Sequence, residues 1–179
     1  MSLSRETEVI FDSRRGQDYH SANPPLYDSS TFHQTVLGGN AQYDYARSGN
    51  PNRTLLEEKL ARLEGGKYAF AYASGIAAIT AVLLTLKSDD HVILPDDIYG
   101  GTLRLTEQIL NRFNIKFTTV NATNILEIKN AIQSNTKLIY VETPSNPLFK
   151  ITDIRAVARI AKQNNLLLAV DNTFMTPLG

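Results

Sequence analysis

From residue 52 to residue 171 the chain alternates between helical and extended patterning, and that alternation narrows the available folds more than any other feature. Residues 52–64 (NRTLLEEKLARLE) put Leu56, Leu60 and Leu63 on one helical face, with Glu58 and Arg62 outside at i, i+4 and Gly65-Gly66 as the stop. Residues 68–72 read as a short strand, 76–86 as a helix, and 91–94 as a strand closed by Pro95. Helix then follows at 101–113, strand at 116–120, helix at 124–133, strand at 137–142 and helix at 152–164. The last strand, 166–171, is an unbroken apolar run that ends on a carboxylate, Asp171. Such a run suits a strand buried on both faces. Strands joined through helices by short connections predict right-handed βαβ units, and hence an α/β fold with a mainly parallel sheet covered by helices on both faces.

The first fifty residues lack this punctuation. Residues 1–16 carry mixed charges with little periodicity, 23–35 (NPPLYDSSTFHQT) hold two prolines and many hydroxyls, and 38–51 (GGNAQYDYARSGNP) are rich in Gly, Asn and Tyr. Composition of this kind makes looped or extended chain, which divides the sequence into an arm, 1–51, and a folded part, 52–179. In 179 residues, 18 Lys and Arg balance 18 Asp and Glu, so the basic excess of a nucleic-acid footprint is missing. The longest apolar stretch, 76–86, is broken by two threonines and is too short to suggest a membrane span. The N-terminus has no apolar core of a secretory signal, and a cytoplasmic setting is the simplest expectation. No cysteine is present, which excludes disulfides, thiolate metal ligands and a cysteine nucleophile; no metal site is expected.

In a parallel sheet the C-terminal strand ends share one rim, where open α/β sheets hold ligands. Here that rim carries Ser74-Gly75, Asp97 with Tyr99, residues 142–146, and Asp171 with Thr173. Ser74-Gly75-Ile76 opens a helix whose free N–H groups suit a phosphate, although many such turns are only turns. It lacks the spacing of a dinucleotide fingerprint or a P-loop, which favours a smaller phosphate-bearing cofactor. Tyr99 can stack on a flat ligand or simply close the core edge. Arg47, near Tyr45 in the arm, has the donor fork for a phosphate and equally reads as a solvated loop residue. The loop 142–147 (ETPSNP) brackets Ser-Asn between prolines and presents an amide side chain stiffly, or is a structural turn.

Together these stretches resemble the pyridoxal-phosphate enzymes of cysteine and methionine metabolism, the transsulfuration family of cystathionine β- and γ-lyases, cystathionine γ-synthase and methionine γ-lyase. The resemblance rests on PLYDSSTF (25–32), YDYARSGNPNR (43–53), LEGG (63–66), SGIAAI (74–79), DDIYGGT (96–102), ETPSNPL (142–148) and DNTF (171–174), in family order. It implies the fold type I, aspartate-aminotransferase-like large domain, incomplete at its C-terminus, with pyridoxal 5'-phosphate as cofactor. It implies that Ser74, Gly75 and Ile76 hold the phosphate, that Tyr99 stacks on the ring, and that Asp171 pairs with the ring nitrogen. Asn146 would touch the ring hydroxyl with Glu142 behind it, and Thr173 would line the same wall. Tyr45 and Arg47 would reach the phosphate of a neighbouring subunit, making the arm an interface element in a dimer of dimers. Tyr45 and Tyr99 would assist proton transfer near the leaving group of a sulfur-containing amino acid.

The implied activity is a carbon–sulfur lyase acting on cystathionine, with a γ-replacement synthase as the alternative. In the family the Schiff-base lysine lies beyond DNTF. The lysines here, Lys59, Lys67, Lys87, Lys116, Lys129, Lys137, Lys150 and Lys162, do not sit in the Ser/Thr-rich segment that carries it. The expectation is a chain inactive by itself. A non-catalytic interaction module that keeps the fold, or an unrelated doubly wound ligand-binding domain, are the other readings.

Overall fold

The computed structural model describes residues 4–10 and 23–178. They belong to two compact units, one within residues 1–71 and one within 72–177.

The first unit holds two helices, α1 (Arg5–Ile10) and α2 (Pro51–Leu63). α1 corrects the aperiodic reading of residues 1–16, of which 1–3 and 11–16 lie outside the described residues. Ser4 precedes it and accepts the Thr7 N–H at 3.3 Å, an N-cap that mixed-charge composition conceals. α2 begins where the sequence predicts. Asn50 caps it by accepting the Asn52 N–H at 2.8 Å, and Pro51 occupies the first turn, where its missing N–H costs nothing. Gly65 ends it at φ +65°.

The loops before α2 are looped as expected and are tied down. Thr31 and Tyr45 form an antiparallel bridge, flanked by Phe32 N–H to Asp44 O at 2.9 Å and Ala46 N–H to Ser30 O at 2.8 Å. Asn52 accepts the Tyr27 N–H at 2.8 Å and donates to Pro25 O at 2.7 Å, while Arg53 donates to Ser48 O at 2.7 Å. Residues 68–72 form no strand, contrary to the sequence reading. Alternating aromatics favour an extended chain, but a strand also needs a neighbour's N–H and C=O groups. Here the Ala71 N–H goes to the Glu57 carboxylate at 2.9 Å, and Tyr68, Phe70 and Tyr72 are exposed.

The second unit is a four-stranded parallel sheet, β1 (His91–Pro95), β2 (Lys116–Val120), β3 (Thr136–Glu142) and β4 (Leu167–Asp171), in the order β2-β1-β3-β4. Helices α3 (Gly75–Leu83), α4 (Gly100–Arg104), α5 (Ile125–Asn130) and α6 (Ile154–Gln163) connect and cover it. The two-residue period of the strands sorts their side chains into two cores. Val92, Leu94, Leu138 and Tyr140 pack with Leu83 and Leu110 on one face. Ile93, Ile139 and Val141 pack with Ile128, Val157 and Ile160 on the other. Each fully buried side chain of this kind contributes about 1.5–3 kcal/mol.

The predicted helix at 101–113 is helical throughout but not uniform. After α4 it widens to π geometry at Leu105–Ile109 and tightens to 3₁₀ at Leu110–Phe113, ending on Asn114 at φ +60°. The predicted double burial of residues 166–171 is corrected. β4 is an edge strand, its side chains are half-buried at best, and Leu167 is 60% exposed. No helix among the described residues is long and apolar enough to cross a membrane.

Candidate active site

Register decides what meets at the rim. β3 and β4 run side by side with Glu142 opposite Asp171, so two carboxylates end adjacent strands. β3 and β4 lead into loops that fold over the same rim, and α3 presents its N-terminus to it. A cavity of about 310 Å³ opens there, at the lower end of small-ligand sites. Its lining includes Ser74, Gly75 and Ile76 around the start of α3, Tyr99, Glu142 and Asn146, Asp171 at the end of β4, and Thr173 and Phe174 beyond it. Eight of the sequence-predicted residues thus share one cavity. Tyr45 and Arg47 belong to the first unit, where the Arg47 guanidinium lies 4.9 Å from the centre of the Tyr45 ring.

Ser74 is extended (φ −158°) and caps α3, its hydroxyl accepting the Ala77 N–H at 3.3 Å. The N–H groups of Gly75 and Ile76, in the first turn, have no acceptor within the helix. A Cβ built on Gly75 would meet nothing within 4 Å, so the space in front of these donors is open. Helix-end donors with room before them fit an anion of phosphate size.

Glu142 is only 5% exposed. One of its oxygens accepts the Tyr99 N–H at 2.8 Å and the other the Asn146 N–H at 2.9 Å. Burial pushes its carboxyl above the usual range, against the pull of those two amides, and the nearby Asp171 charge pushes the same way. Glu142 therefore fixes the backbones that carry Tyr99 and Asn146. The loop beyond it contains two cis peptide bonds, Thr143–Pro144 and Asn146–Pro147. Ser145 donates its hydroxyl to Asp97 and accepts the Lys150 N–H at 2.9 Å, which closes the loop on itself.

Asp171, the last residue of β4, also lines the cavity. Thr173 donates to its Oδ1 from the hydroxyl at 2.6 Å and from the backbone at 3.1 Å, and the Tyr140 phenol donates to Oδ2 at 2.8 Å. Among the described residues no basic side chain pairs with it. An anion held by neutral donors beside an open cavity suits a cationic partner from outside the chain. Tyr140, 2% exposed, was not among the sequence-predicted site residues. The signal was there: a tyrosine inside the largely apolar strand TKLIYVE, two residues before Glu142 and on its face, needs a buried partner for its hydroxyl. Taken together, helix-end anion donors, an exposed tyrosine ring and a carboxylate without a basic partner around one cavity fit a phosphate-bearing heteroaromatic such as pyridoxal phosphate.

The comparisons with known proteins agree. The family model described as Cys/Met metabolism PLP-dependent enzyme matches residues 6–179. Over 179 residues the chain is 84% identical to cystathionine beta-lyase MetC of Staphylococcus haemolyticus, covering all of this chain and 46% of that protein. It is 46% identical over 176 residues to cystathionine gamma-lyase of Bacillus subtilis, covering 98% of this chain and 46% of that one. The structure superposes on crystalline cystathionine gamma-lyase from Lactobacillus plantarum, complexed with L-serine, with a TM-score of 0.93 at 43% identity, over 98% of this chain and 46% of that one. The chain thus spans about half the length of these relatives, and its sheet is part of a fold type I large domain. It belongs to the Cys/Met metabolism PLP-dependent enzymes.

Proposed function

We propose that this chain is the cofactor-binding part of a carbon–sulfur lyase that acts on cystathionine. The observation that carries the reading is Asp171, an anion at the cavity wall held only by neutral donors among the described residues. When bound, pyridoxal phosphate supplies an electron sink for charge that develops at the substrate α-carbon, provided its ring nitrogen stays protonated. Asp171 holds that proton at the nitrogen. Ser74, Gly75 and Ile76 bind the phosphate and set the ring's position, Tyr99 stacks over it, and Asn146 orients the ring hydroxyl with Glu142 behind. Thr173 closes the wall. Residues 52–179 form the first part of the cofactor domain, while the arm, 1–51, gives Tyr45 and Arg47 to the site of a neighbouring subunit in a dimer of dimers. Tyr45 and Tyr99 assist proton transfer at the leaving group. The setting is cytoplasmic.

No lysine is among the cavity-lining residues, which supports the further reading that this chain alone turns over no cystathionine. The test is to assay thiol release from cystathionine with added cofactor, for the 179-residue chain and for the longest natural polypeptide that carries it. The longer polypeptide is expected to release thiol and the short chain none. Borohydride reduction and peptide mapping should place the cofactor on a lysine outside residues 1–179. Turnover by the short chain, or cofactor mapped to one of its own lysines, would overturn the second reading; no thiol from either would overturn the first.

A further inference from the structure

Asp171 is the acid the preceding reading depends on, and what holds it comes from the strand beside it. Tyr140 lies on β3 opposite Ala169 of β4, so its ring runs under the end of β4 toward Asp171. Its ring is built into the core with Val92, Leu94 and Leu138, and its phenol donates to Asp171 Oδ2 at 2.8 Å. Thr173 takes the other oxygen with two donors, so Asp171 is held at both. A phenol has one proton to donate, and here nothing competes to remove it. Burial, and the charges of Asp171 and Glu142, push the Tyr140 phenol above its ordinary range, which favours the protonated donor. Thr102, on α4, adds a second mark of a polar cluster set within this core. Its hydroxyl is wholly buried with no hydrogen-bond partner among the described residues.

We propose that Tyr140 is a positioning residue for Asp171, whose donated O–H fixes the carboxylate plane before any ligand arrives, so that the ring nitrogen of a pyridoxal phosphate meets an anion already aimed at it. The inference rests on the reading of Asp171 given above, and goes beyond it in assigning the orientation to a residue that itself has no need to touch the cofactor. A carboxylate left to rotate would have to be ordered on binding, and that cost would appear as lost affinity for ligands bearing the ring nitrogen.

The test compares pyridoxamine 5'-phosphate with its 1-deaza analogue, in which C–H replaces the ring nitrogen. Both are titrated by absorbance and fluorescence against the longest natural polypeptide carrying these residues, as wild type, Tyr140→Phe, Asp171→Asn and the double variant. Tyr140→Phe should weaken the nitrogen-bearing ligand about tenfold, the scale of one hydrogen bond to a charged group, and leave the deaza ligand unchanged. In the Asp171→Asn background the same change should have less than a twofold effect. Equal weakening of both ligands would make Tyr140 a packing residue only and overturn the proposal, as would a Tyr140→Phe variant that binds like wild type. Should Tyr140→Phe fail to fold, Thr173→Val removes a donor from the other carboxylate oxygen, and the same selectivity is expected of it. A wild type that binds both ligands equally, or an Asp171→Asn variant that binds both normally, would instead remove the underlying reading of Asp171.

Discussion

Glu142 accepts one backbone N–H with each oxygen, and this makes its chemistry unusually easy to separate from its charge. Glu142→Gln keeps the shape but turns an NH₂ group toward one of two donors, so either Tyr99 or Asn146 loses its acceptor. The expected cost is about 1–3 kcal/mol of stability, read by denaturant unfolding, with the amides of Tyr99 and Asn146 exchanging their hydrogens faster. A variant as stable as wild type would mean the strut is not needed. Gly101 allows a gentler test of the same region. A Cβ there would lie 2.3 Å from Cε1 of the Tyr99 ring, so Gly101→Ala must move that ring, and a ring 43% exposed can swing away. Alanine also suits a helix better than glycine by about 1 kcal/mol, which offsets some of the disturbance. Gly101→Ala should therefore weaken pyridoxamine 5'-phosphate several-fold while shifting the unfolding midpoint little. A large loss of stability with normal binding would place the Tyr99 ring outside the site.

At the scale of elements, the rim opposite the cavity has its own polar tie. His91 opens β1 and is fully buried, at 0% exposure. Its Nδ1 lies 2.8 Å from the Thr136 hydroxyl at the start of β3, and its Nε2 lies 2.9 Å from the Thr118 hydroxyl on β2, so one ring joins three strands. Burial lowers the His91 pKa from 6.5. A histidine with a depressed folded value takes up its proton more readily when unfolded. The stability it supports is thus present above pH 6.5 and is lost as the pH falls from there toward the folded value. Thermal unfolding from pH 7 downward should fall more steeply for wild type than for His91→Asn, by at most about 1.4 kcal/mol per pH unit. Parallel slopes would show that His91 takes up its proton equally in the folded and unfolded states. None of this was legible beforehand, because a lone histidine at a strand start does not reveal what faces it. What patterning did reveal were the strands and helices themselves, since β2 has the predicted limits and α2, α5 and α6 begin within two residues of theirs. It missed the π turn at Leu105–Ile109, where the Thr106 hydroxyl donates to the Thr102 carbonyl at 2.9 Å, because the pattern of apolar residues does not separate π from α geometry.

For the whole molecule, the sequence reading was strongest where local order alone brings residues together and weakest where a neighbour decides. Tyr99, Glu142, Asn146 and Asp171 could be placed at one cavity because parallel strands must end on the same side, whereas Ser74 reaches it without the strand expected before it. The burial of residues 166–171 could not, because five apolar residues in a row describe the strand's faces and say nothing of what covers them. β4 is in fact the last strand of its sheet, with an outer row of N–H and C=O groups that no strand of the sheet pairs, and with Leu167 60% exposed. Natural sheet edges are usually protected by charge, proline or a covering element. LLLAV has neither a charge nor a proline, and exposed Leu148, Phe149, Ile151, Phe174 and Met175 add apolar surface on the same unit. Phe149 and Phe174 stack with ring centres 5.3 Å apart, which gathers part of that surface into a patch. Such a combination is a template for strand pairing and apolar association. The purified 179-residue chain should therefore self-associate as its concentration rises, measured by sedimentation velocity and light scattering. Leu167→Lys puts a charge on the exposed edge, where the fold has nothing to lose, and should shift the chain toward monomer without lowering its unfolding midpoint. Phe149→Ser, on the patch but off the strand, should do so less, because it removes apolar surface and leaves the backbone edge open. If the wild-type chain sediments as a monomer throughout, or if Leu167→Lys changes nothing, the edge is not sticky and β4 is protected in some way that its side chains do not disclose.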